Sequence, residues 1–110
     1  MELDEISEMI SLITGIRIPH YKPKVFFVPR QSLLNAIAEY HGIKSFNSKG
    51  FCSKQNREVF VLFDASEKVV AHEITHQMLE IYFDGKMPLA SQHIICWEVE
   101  KHFSAKRYNK

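Results

Sequence analysis

The chain has 110 residues, 45% of them hydrophobic, and a formal net charge of +1. That length suits one domain, residues 1–110, and the apolar content excludes a disordered chain. Near-neutral charge offers no basis for binding nucleic acid or a membrane surface. No apolar run reaches bilayer length, and the acidic start Met1-Glu2-Leu3-Asp4-Glu5 is unlike a basic signal-peptide region, so a cytoplasmic protein is expected.

Leu3, Ile6, Met9, Ile10 and Ile13 recur at helical spacing, with Gly15 where that helix would stop. Pro19 and Pro23 bracket an extended connection to a short β-rich run, Lys24 to Val28, closed by Pro29. Arg30 to His41 reads as a helix with Leu33, Leu34, Ile37, Ala38 and Tyr40 on its apolar side and Gly42 beyond it. Ser45 to Asn56 is rich in turn-forming residues around Phe46, Phe51 and Cys52. Val59 to Phe63 follows as a continuous β run, with a hairpin through Gln55-Asn56-Arg57. Asp64-Ala65-Ser66 offers an N-cap for a helix from Glu67 to about Phe83, broken by Asp84-Gly85-Lys86-Met87-Pro88. A last helix runs from about Ala90 to near Lys106. The order is α+β: a small sheet covered by helices. The two cysteines, Cys52 and Cys96, lack CxxC spacing and read as reduced thiols.

His72-Glu73-Ile74-Thr75-His76 is an HExxH motif inside the helix from Glu67 to about Phe83, the most strongly signalled element of the chain. Positions i and i+4 share one helix face, so both imidazoles can reach one Zn²⁺ with Zn–N distances of about 2.0–2.1 Å. Glu73, next to the first histidine, can act on a water at the metal without ligating it, taking its proton and passing it to a leaving amine. A third protein ligand is needed. The HExxHxxGxxH pattern would put Gly at 79 and His at 82, where this chain has Leu79 and Tyr82. A carboxylate from the last helix is the other common solution, and Glu98 and Glu100 are both available. Ile95, Val99 and Phe103 set an apolar stripe that Glu98 borders on the side of Ile94, Ile95 and His102, which favours Glu98. His102, one turn on, is a candidate to hydrogen-bond the site. His20, His41 and His93 read as surface or locally bonded residues, and Tyr82 and Tyr108 are candidates to stabilise an oxyanion.

The stretch Val69 to His76 resembles the active-site helix of thermolysin-type gluzincins, and Trp97 to Phe103 is similar to the glutamate helix of that clan. The integral-membrane, CAAX-protease-type members read Glu-aromatic-x-Ala-Asp there, whereas this chain has Val99, Glu100, Lys101 and His102 after Glu98. The layout resembles the minigluzincin family of minimal soluble metallopeptidases. That resemblance implies a zincin-like three-stranded sheet above a site of His72, His76 and Glu98 with Glu73 as general base. It also implies latency, with the acidic N-terminal segment or the basic tail, Ser104 to Lys110, plugging the cleft or mediating self-association.

The expected function is therefore zinc-dependent hydrolysis of peptide bonds in a peptide or unfolded-protein substrate. The competing reading is a zinc-bearing interaction or regulatory module without turnover. Glu73 argues against it, because a structural site closes its fourth position with a protein ligand and needs no adjacent carboxylate.

Overall fold

The computed structural model describes residues 1–108. Its elements in chain order are α1 (Leu3–Thr14), β1 (Val25–Val28), α2 (Gln31–Tyr40), β2 (Gly50–Cys52), β3 (Val59–Leu62), α3 (Glu67–Tyr82) and α4 (Leu89–Glu100). The expected α+β order therefore holds, with four helices and a small mixed sheet. Among the described residues, no helix is long and apolar enough to cross a membrane.

Local chemistry explains most boundaries. At α1, Glu2 and Glu5 form a reciprocal capping box, and Gly15, at φ 78°, ends the helix in the left-handed conformation. Ser66 caps α3 by accepting from the Val69 N–H at 3.2 Å. The last helix ends at Glu100, well before the expected Lys106. The reason is that Phe103 and Tyr108 are both buried in the main core, and a straight helix cannot deliver both. Instead the chain turns after Glu100 and runs back beside the start of α3. Ser104 and Lys106 carbonyls accept from the Lys68 and Glu67 N–H groups, and the Tyr108 N–H donates to the Ala65 carbonyl.

The strand order is β1-β3-β2, with β3 central, parallel to β1 and antiparallel to β2. Gly50 pairs with Val61 and Cys52 with Val59, so the hairpin expected through residues 55–57 is present. Alternation along the strands divides the apolar residues between two faces. Val59 and Val61 join Ile6, Ile10, Val70, Ile74, Met78 and Val99 beneath the sheet. Val28, Phe51 and Leu62 pack with Leu34 and Ala38 of α2 above it. The sheet is thus sandwiched between α2 and the α1/α3/α4 layer. β2 is the edge strand that borders α3.

Candidate metal centre

Between Val70 and Glu80 every residue of α3 is buried except His72, which is intermediate, and this stretch includes Glu73, Thr75, His76, Gln77 and Glu80. Buried polar groups on this scale are costly without partners. Gln77 and Thr75 have structural ones. Gln77 donates to the Lys24 and Arg57 carbonyls and accepts from the Tyr21 hydroxyl, which ties β1 and the hairpin to α3. The Thr75 hydroxyl donates to the Ala71 carbonyl one turn back.

His72, Glu73, His76 and Glu80 instead face the α4 side and the cleft under β2. The rings of His72 and His76 lie 4.9 Å apart, and the ring of His93, from the first turns of α4, lies 5.1 Å from His76 and 6.0 Å from His72. One ring nitrogen from each of the three lies within 4.8 Å of the others, so the three could hold a single metal ion. A small inward movement of the rings brings them to zinc-ligand distances.

Two of the three rings are held in the orientation that ligation requires. His72 Nδ1 is 2.7 Å from Glu100 Oε2, and a carboxylate can only accept there. His76 Nδ1 is 2.8 Å from Gln92 Oε1. The Gln92 amide is itself fixed, because its nitrogen donates to Glu80 Oε2 and to the Met87 carbonyl at 3.0 Å. Its oxygen must therefore face His76 and accept the Nδ1 proton. Both histidines then keep an Nε2 lone pair for a metal, the arrangement that carboxylate and amide partners commonly impose on ligating imidazoles. Burial pushes the His76 pKa down to about 4, against the opposing hydrogen bond to Gln92, so the ring is neutral and available as a ligand at neutral pH. The His93 ring is covered by the indole of Trp97 at 5.9 Å.

Glu73 lies between the imidazoles and β2. Gly50 makes room for it: a Cβ there would come within 2.8 Å of Val61 Cγ1 and 3.2 Å of Glu73 Cγ. Burial, with a smaller contribution from the Glu100 charge, raises the Glu73 carboxyl to a pKa of about 8 without a metal present. A bound cation would oppose that shift. The cleft around these groups has a volume of about 240 Å³ and continues past Ser48, Gly50, His72 and Glu73 into a second groove of about 480 Å³.

The structure brings together His72, Glu73 and His76 and places Glu98, the expected third ligand, away from them. Glu98 is exposed, pairs with Lys101 at 3.1 Å and lines a separate groove with Ile13, Ile94 and Phe83. His93, read from sequence as a surface residue, takes its place beside the imidazole pair. Glu100 is at the site, but as the partner of His72 Nδ1. His102 is exposed and Glu100 holds the position expected of it. Tyr82 is exposed at the end of α3, and Tyr108 stacks on Phe27 at 5.9 Å; neither lines the cleft. Among the described residues neither terminal segment lines the cleft, and the tail from Ser104 to Tyr108 lies along residues 65–68. Asn109 and Lys110 lie outside the described residues. Both cysteines are free, as expected.

No protein-family model, no curated protein sequence and no solved structure matches the chain at a significant level.

Proposed function

We propose that the chain is a zinc-dependent peptide-bond hydrolase of minimal zincin-like design, with His72, His76 and His93 holding the ion and Glu73 as general base. The observation that carries this reading is the convergence of three imidazoles, two of them with Nδ1 occupied by Glu100 and Gln92, beside a carboxylate that ligates nothing. An all-nitrogen set of three suits Zn²⁺ with an open fourth position. A purely structural zinc site would close that position and would have no use for Glu73. The reading keeps the HExxH helix under an edge strand and gives up the glutamate ligand that defines gluzincins, since Glu98 faces elsewhere.

When bound, zinc supplies Lewis-acid polarisation of the scissile carbonyl and lowers the pKa of a coordinated water. The protein's own residues do the rest. Glu73 accepts the proton of the attacking water and delivers it to the departing amine nitrogen, a role suited to a carboxyl held above its ordinary pKa by burial. Glu100 and Gln92 hold the two histidines of α3 against rotation. β2 walls the opposite side of the cleft and excludes bulk water from the Glu73 side.

The test combines zinc content by elemental analysis with cleavage of an unstructured protein. Stoichiometric zinc, with cleavage that disappears in Glu73→Gln while zinc stays bound, is the expected result. Zinc binding with no cleavage of any unfolded substrate would favour the non-catalytic module instead.

A further inference from the structure

The two connected grooves are bounded by lysines at both ends. Lys54 lies at the end shared with Glu80 and Gln92, and Lys49 and Lys68 at the end shared with Ser66 and Glu100. The carboxylates that share these grooves are already engaged or turned away. Glu100 accepts from His72, Glu80 accepts from Gln92, and Glu73 is buried against Gly50. Among the described residues, Lys54 and Lys68 make no ion pair, and Lys49 has only a half-exposed, solvent-screened contact with Asp64 at 3.6 Å. The ammonium groups are therefore free to meet a ligand, whereas Glu80 and Glu100 have oxygens already committed to Gln92 and His72, which occupies them without cancelling their charge. A divalent ion on the three histidines would add to the same sign of field. Lys49 and Lys54 bracket β2, whose three residues span on the order of 10 Å, the length of a short extended peptide segment.

Building on the peptidase reading, we propose that the cleft selects acidic stretches of unfolded polypeptide, with Lys54 receiving carboxylates on one side of the reacting bond and Lys49 and Lys68 on the other. A basic segment would meet three ammonium groups, of which only Lys49 has an ion-pair contact among the described residues. A nucleic acid is the poorer fit, because the whole chain carries a net charge of only +1 and the positive groups line a groove rather than an open face.

The experiment uses the zinc-loaded Glu73→Gln protein, so that bound peptides are not cleaved. Trp97, the one tryptophan in the chain, sits over His93 and reports occupancy by fluorescence. Unstructured peptides of equal length, acidic, neutral and basic, are titrated beside a single-stranded oligonucleotide of the acidic peptide's charge. The acidic peptide is expected to bind at least fivefold tighter than the neutral one and the basic peptide most weakly, with the preference shrinking as salt rises. In Lys49→Glu, Lys54→Glu and Lys68→Glu, made singly and together, the preference should fall or reverse while zinc content is unchanged. Equal affinities, a preference that survives all three reversals, or tighter binding of the oligonucleotide would overturn the proposal. Cleavage by the unaltered protein separates the two ideas. Cleavage indifferent to peptide charge sinks acidic selection and leaves the peptidase reading standing. Lysine-dependent acidic binding with no cleavage of any peptide does the reverse.

Discussion

Helices α3 and α4 both contribute to the candidate metal centre, yet they announce it in opposite ways. In α3 the two imidazoles and Glu73 are fixed relative to one another by the helix itself, because a spacing of four residues defines a face whatever packs against it. In α4 the residues that matter, Gln92, His93 and Glu100, acquire their roles only from the way that helix lies against α3. The comparison teaches that a ligand pair within one helix is a property of local geometry, whereas the ligand that completes the set is a property of tertiary packing.

The most severe way to probe the α3 half is Glu73→Gln. Cleavage should fall by about 10²–10⁴-fold or more with zinc retained, because the substitution removes the proton acceptor and no ligand. A rate within tenfold of the unaltered protein, measured on the same unstructured substrate, would take the general-base role away from Glu73. The α4 half is sharpened by Glu100→Gln and Gln92→Leu. Each should weaken zinc binding by roughly 10–100-fold, since each frees an imidazole to turn or change tautomer. Competition with a chromophoric chelator measures this, and unchanged affinity in both variants would mean that the Nδ1 partners are incidental.

A fourth substitution bears on the tail. Tyr108→Ala should destabilise the fold by about 3 kcal/mol, read from urea unfolding, because a buried ring stacked on Phe27 is lost. It should not raise peptidase activity. Activation on loosening the tail would instead restore the terminal segment as a plug. The smallest effect concerns pH in the metal-free protein. The Glu73 carboxyl titrates near 8 in the fold against 4.5 when exposed, so its contribution to stability is complete below about pH 4.5 and is lost as pH rises towards 8. Glu73→Gln escapes that loss. Its stability relative to the unaltered protein should therefore be higher at pH 8 than at pH 5, and equal differences at the two pH values would contradict the buried, protonated carboxyl.

How much was legible beforehand follows the same division. The element order, the Gly15 stop, the Ser66 cap and the hairpin before Val59 all rest on local signals and are present in the fold. The His72-Glu73-His76 face was legible for the same reason. The third candidate ligand, His93, was not. The buried stripe of α4 runs through Gln92, Cys96 and Val99 towards Phe103, and its first member is a glutamine, so a stripe drawn through apolar residues alone shifts towards Ile95 and Glu98. His93 and Glu100, seven residues apart, share the other flank. Nothing in one helix says which flank meets its neighbour. With Gln92 counted as a buried residue, the stripe points to the flank that carries His93 and Glu100. β2 was likewise muted, because its Gly50 is required by the approach of Glu73 and by no pattern within the strand. The early end of α4 was hidden because Phe103 and Tyr108 reach the core from a turn rather than from a continuing helix.

The most direct measurement compares zinc affinity in His93→Ala and Glu98→Gln by isothermal titration against the unaltered chain. Three converging imidazoles predict that His93→Ala loses zinc affinity by orders of magnitude while Glu98→Gln binds as the unaltered chain does. Full zinc affinity in His93→Ala, with loss in Glu98→Gln, would contradict the three-histidine centre and return the third position to the glutamate.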